Sequence, residues 1–147
     1  ASIPPDHLRL SLAFLGALES GQRDRVSVLL GEVATAGRDT GQPLDRVRAF
    51  PGPASRLIVV EGEPDPVLSD LRGRLLEALA GADVPAAGED RPFRPHVSLI
   101  RLRRPAESLP LSTARLTLPV RELVFYESVA GEGGVRYHRL AAFDLPQ

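Results

Sequence analysis

Hydrophobic and polar positions alternate along His7–Gly16. Leu8, Leu10, Leu12 and Phe14 fall on one face of an extended chain, and Arg9, Ser11 and Ala13 on the other. The same period of two returns from His96 to Arg101. There Val97 and Leu99 form a face that can be buried, while His96, Ser98 and Ile100 point the opposite way, and strict alternation puts Arg101 opposite His96. Pro92 and Pro95 keep the approach to this second stretch extended, because proline fixes its own φ and disfavours the helical region for the residue before it.

Elsewhere the period changes. Val26, Leu29, Leu30 and Val33 recur at helical spacing behind Ser20, a plausible N-cap, and the helix stops near Gly37. A second helix opens at Pro64 to Pro66, carries Val67, Leu68, Leu71, Leu75 and Leu79 on one face, and ends at Gly81. Leu44–Phe50 and Leu57–Glu61 read as strands separated by Pro51-Gly52-Pro53, with Gly41 to Pro43 as a turn ahead of them. Arg115–Leu118 and Leu123–Glu127 are strands split by Pro119. After a turn at Gly131 to Gly134, Val135–Leu145 is the last strand. Ala82 to Asp90 is a loop leading to the second alternating stretch. The pattern predicts an α+β fold in one domain, 1–147, made of two lobes with a cleft between them.

Composition narrows the function. The 147 residues, 43% of them hydrophobic, suffice for one well-cored domain. The absence of cysteine excludes disulfides, thiolate metal sites and a cysteine nucleophile. No apolar run is long enough to span a bilayer and no basic-then-apolar leader opens the chain, so the expectation is a cytoplasmic protein with no membrane partner. A net charge of -1 argues against a broad grip on duplex nucleic acid, while leaving room for a pocket that takes one RNA end. All 18 basic residues are arginine, a bias that weakens any argument from arginine number alone.

An imidazole and a hydroxyl two residues apart on one strand stand about 7 Å apart at the backbone. His96 and Ser98 could therefore bind and protonate a phosphate. Taken singly, such a histidine is more often structural, and the weight comes from its setting. The second stretch, Phe93-Arg94-Pro95-His96-Val97-Ser98-Leu99-Ile100-Arg101, and the first, Leu8-Arg9-Leu10-Ser11-Leu12-Ala13-Phe14-Leu15-Gly16, together resemble the paired His-x-Thr/Ser motifs of the 2H phosphoesterase superfamily. The resemblance is strongest to its RNA 2',3'-cyclic phosphodiesterase branch, the LigT-like proteins once called 2'-5' RNA ligases. The second motif is intact at Phe93, Pro95, His96, Ser98, Leu99 and Arg101, whereas the first has Arg9 in the histidine position.

That resemblance implies a two-lobed fold with antiparallel sheets lining a central cleft and helices outside, preceded by a strand and a helix that this sequence lacks. It implies hydrolysis of RNA 2',3'-cyclic phosphate ends to 2'-phosphates by a monomer needing neither cofactor nor metal, the substrate being such an RNA end or a small cyclic nucleotide. In this family the second-motif histidine is usually the proton acceptor and the first the donor, which makes His96 the base and puts Arg9 in the donor's place. Histidine suits either role because its ordinary pKa lies near neutrality. Ser11 and Ser98 would hold phosphate oxygens, and Arg101 would contact substrate. A guanidinium stays protonated at neutral pH, so Arg9 can neutralise phosphate through its fork of donors but cannot act as a general acid. His7, about 7 Å back along the same strand face, is the nearest replacement donor, although it would need a two-residue register slip. The alternative function is a noncatalytic module that binds phosphorylated RNA ends or nucleotides. Arg91, Arg94, Arg103 and Arg104 could steer an anion or simply be solvated, and Tyr126 and Tyr137 could stack on a base or pack locally.

Overall fold

A computed structural model describes residues 9–84, 86–87, 91–105 and 112–147, so His7 lies outside the described residues. The fold is α+β, in the order α1 (Ser20–Ala36), β1 (Thr40–Phe50), β2 (Leu57–Glu61), α2 (Pro66–Gly81), β3 (His96–Arg101), β4 (Ser112–Val120), β5 (Glu122–Gly131) and β6 (Gly134–Asp144). The chain divides into two compact units, 1–12, 41–66 and 90–119 in the first and the rest in the second.

The first unit is a four-stranded sheet ordered β3-β2-β1-β4. β2 lies inside it, antiparallel to β1 on one side and to β3 on the other, as its uninterrupted apolar run requires. Leu44, Val60 and Val97 form a buried cluster on one sheet face, joined by Leu10, Val47, Leu99, Ala114 and Leu118. Burying each large aliphatic side chain contributes about 1.5–3 kcal/mol to the unit's stability. At the start of β1 the fully buried Gln42 side chain donates to the carbonyls of Pro43 (2.7 Å) and Glu63 (2.8 Å) and accepts from the Asp65 N–H (2.8 Å). Beside it a Cβ on Gly62 would collide with the Pro43 carbonyl, so only glycine lets the chain leave β2 at this point.

The second unit holds both helices and the β5–β6 hairpin. Val26, Leu30, Val33 and Ala34 are the buried stripe of α1, and Leu68, Leu71, Leu75 and Leu79 that of α2. α1 packs on the hairpin, where the Phe143 ring lies against Gly31 and Arg23 pairs with Glu127 at 3.5 Å. The hairpin turn needs positive φ, supplied by Gly133 (99°) and Gly134 (108°). Arg139 is bound by Tyr126 and by Glu122 at 3.1 Å, and these two partners, Tyr126 first, raise its pKa above the usual value. Among the described residues no helix is long and apolar enough to cross a membrane.

Several local expectations change. The α1 N-cap is Glu19, one residue before Ser20, because Glu19 and Gln22 form a reciprocal capping box. Gly41 to Pro43 lies inside β1 rather than in a turn, with Gln42 satisfying the local backbone. Pro119 lies within β4, and the break before β5 falls at Arg121. The first alternating stretch is no continuous strand in its described part. It touches its neighbours through isolated antiparallel bridges, Leu10 with Val97 and Phe14 with Ala87.

Candidate functional site

The second motif is built into the sheet. β3 pairs with β2 from Glu61↔His96 to Leu57↔Arg101. Its two ends are clamped by the Gly62 N–H to the Pro95 carbonyl (3.3 Å) and the Leu102 N–H to the Arg56 carbonyl (2.7 Å). Val97 is buried with Val60, so His96 and Ser98 emerge on the opposite face, both half-buried. The register slips between Ile58 and Val59: Val59 faces Ser98 while Ile58 faces Ile100, leaving Leu99 as an extra residue. This bulge corrects the expectation for Arg101. Cross-strand partners share a face, and Leu57, Val59 and Glu61 share one by alternation, so Arg101 returns to the face of His96 and Ser98.

In its described part, the first motif joins the same sheet through a bridge. Leu10 pairs antiparallel with Val97 and packs in the same apolar cluster. Alternation about that pair turns Arg9 and Ser11 away from the apolar cluster, to the side of His96 and Ser98. Arg9 is half-buried and Ser11 exposed. All five expected site residues, Arg9, Ser11, His96, Ser98 and Arg101, therefore belong to the first unit and to one side of its sheet.

Four further residues cluster around His96. Glu61, the cross-strand partner of His96, is 3% exposed, and its carboxylate is held by Arg48 Nη1 at 3.3 Å and Arg94 Nη2 at 3.1 Å. A buried carboxylate needs such partners, since an unpaired charge there would cost several kcal/mol. Arg48 also donates to the carbonyls of Ala49 (3.4 Å) and Pro51 (3.2 Å), on either side of Phe50. The Phe50 ring stacks on His96, centroids 4.1 Å apart and planes 24° from parallel, and the Arg94 guanidinium lies 4.7 Å from the same ring centre. The residue pattern singles out none of these four for such a role. The signal it carries is a lone acidic residue at the end of an apolar central strand, in a chain rich in arginine.

The imidazole is already oriented. His96 Nδ1 lies 2.7 Å from the Arg94 carbonyl oxygen. A carbonyl can only accept, so Nδ1 carries the proton in the neutral ring and Nε2 is left with its lone pair. A base with a defined accepting nitrogen, a neighbouring hydroxyl and guanidinium groups on the same face can bind a phosphate and take a proton from water beside it. Among the described residues no group of three or more His, Asp or Glu side chains could hold a metal ion. A shallow groove in the second unit, lined by Val28, Gly31, Thr35 and Phe143 among others, has no histidine or arginine on its walls and offers no comparable chemistry.

No protein-family model matches the chain. It is 28% identical over 151 aligned positions to the RNA 2',3'-cyclic phosphodiesterase of Escherichia coli (strain K12), spanning 99% of this chain and 80% of that protein. Among solved structures it resembles TT0787 of Thermus thermophilus, with a TM-score of 0.79 and 27% identity over 98% of this chain and 81% of the other. It also resembles E. coli LigT complexed with 3'-AMP, with a TM-score of 0.77 and 26% identity over 99% and 81%.

Proposed function

Because the chain belongs to the LigT-like branch of the 2H phosphoesterases, we propose that it hydrolyses the 2',3'-cyclic phosphate at RNA ends to a 2'-phosphate, with side chains alone supplying the chemistry. The observation that supports this reading is the Leu10–Val97 bridge, an antiparallel contact between the two motif stretches. His96 Nε2 takes the proton from water as its oxygen attacks phosphorus, and the P–O3' bond breaks. Ser11 and Ser98 hold non-bridging oxygens. Arg9 and Arg101 neutralise charge that builds up on the phosphoryl group.

The leaving O3' still needs a proton. Arg9 does not supply it, since a guanidinium stays charged, and solvent then serves as the donor at a cost in rate of about 10²–10⁴. The similarity to E. coli LigT, whose structure is complexed with 3'-AMP, supports a nucleotide-sized ligand for this chain. The protein acts as a cytoplasmic monomer in this reading. The test is turnover of a 2',3'-cyclic mononucleotide with chelator present. Hydrolysis to the 2'-phosphate that disappears in His96→Ala supports the proposal, and unchanged hydrolysis in that variant overturns it.

The arginine at position 9 favours a second reading, in which the same face binds phosphorylated ends without turning them over. In that case Arg9→His weakens binding of a nucleoside 2'-phosphate and creates no activity. In the catalytic reading the same change speeds turnover.

A further inference from the structure

We propose that Arg94 is a positioning residue for His96, clamped between Glu61 and Phe50 so that its own backbone carbonyl fixes the imidazole with the proton on Nδ1. The proposal rests on His96 being the base, and adds how that base is kept in one tautomer.

The contacts form a closed bracket around one ring. Glu61 is buried and holds two guanidinium groups, each through a different carboxylate oxygen. Through Arg48 it reaches the Ala49 and Pro51 carbonyls, and so fixes the backbone on both sides of Phe50. Through Arg94 it places a cation on the Phe50 ring, whose aromatic surface also meets His96. Arg94 thus holds His96 twice: its guanidinium secures the ring on which the imidazole stacks, and its carbonyl takes the Nδ1 proton at 2.7 Å. A histidine side chain in water prefers the opposite tautomer, with the proton on Nε2. Unless the carbonyl is held in place, the nitrogen needed as base is therefore the protonated one in most molecules. Pro95, fully buried between the two residues, is the rival brace: it could hold the carbonyl without help from the guanidinium.

The experiment reads the tautomer directly, from the two ring ¹⁵N shifts of His96 in the whole protein at a pH where the ring is neutral. The signal is assigned by its loss in His96→Ala. Wild type is expected to show the proton on Nδ1. Arg94→Ala is expected to shift the majority to Nε2 and to lower kcat about tenfold with KM changed less than about twofold, the signature of a misplaced base rather than lost binding. Arg94→Gln, which can still hydrogen-bond Glu61 but carries no cation, is the companion should the alanine variant fail to fold, and it is expected to shift the tautomer in the same direction. Retention of the Nδ1 proton in either folded variant assigns the positioning to Pro95 and overturns the proposal. Because the tautomer is read without substrate, a protein that turns over no cyclic phosphate would refute the assigned reaction while leaving this result to stand or fall by itself.

Discussion

The two motif segments share a sequence pattern and differ in how they are held. The second is a full strand, paired along its length with β2, with its histidine stacked on Phe50 and hydrogen-bonded to the Arg94 carbonyl. The first, in its described part, is bridged to β3 at Leu10, whose side chain packs in the apolar cluster. The segment that keeps its histidine is also the one built into the sheet as a paired strand. Arg9, in the histidine's place, lies in a stretch whose described part is bridged to β3 without being a continuous strand. A guanidinium tolerates a less regular backbone, because charge neutralisation falls off gently with distance while proton transfer demands hydrogen-bond geometry.

Given this asymmetry, damage to the second motif costs most. His96→Ala is expected to lower kcat about 10²–10⁴-fold, since general base catalysis accounts for that much, and initial rates on a 2',3'-cyclic nucleotide measure it. The next largest effect is a gain: Arg9→His restores a titratable group in the first motif and should raise kcat about tenfold to a hundredfold. A gain below twofold would favour the reading in which this face binds phosphorylated ends without turning them over.

The serines sharpen the contrast further. Ser98 is half-buried on β3 and Ser11 is exposed beside the bridge. Ser98→Ala should therefore raise KM about tenfold, equivalent to one hydrogen bond to a charged oxygen, and Ser11→Ala by only about threefold. Equal effects would show that both segments hold phosphate alike. Stability should follow the same order. Val97→Ala opens a cavity in a site only 2% exposed and is expected to cost about 2 kcal/mol in urea unfolding, and Leu10→Ala about 1 kcal/mol.

Much of this is legible in the residue pattern because helical and extended periods impose burial directly. Leu68, Leu71, Leu75 and Leu79 are the buried stripe of α2, and Val97 is buried behind His96 and Ser98. Parity arguments hold only as far as the strand is regular. The extra residue at Leu99 reverses the face of Arg101, and nothing in Val97-Ser98-Leu99-Ile100 marks a bulge, because the slip is imposed by pairing with β2. Pro119 reads as a break in the sequence yet lies in β4, which borders β1 at the sheet edge, where a missing N–H is tolerated. The bracket of Glu61, Arg48, Arg94 and Phe50 is the least legible part. Its members come from three separated stretches, and only the sheet register brings Glu61 opposite His96.

The most direct test of the shared face is a crystal structure of this protein with a nucleoside 2'-phosphate bound. The phosphate is expected within hydrogen-bonding distance of His96 Nε2 and the Ser98 hydroxyl, with Ser11 and the Arg9 guanidinium on its other side. A phosphate bound elsewhere, or held by the second motif while Arg9 and Ser11 make no contact, would contradict the account.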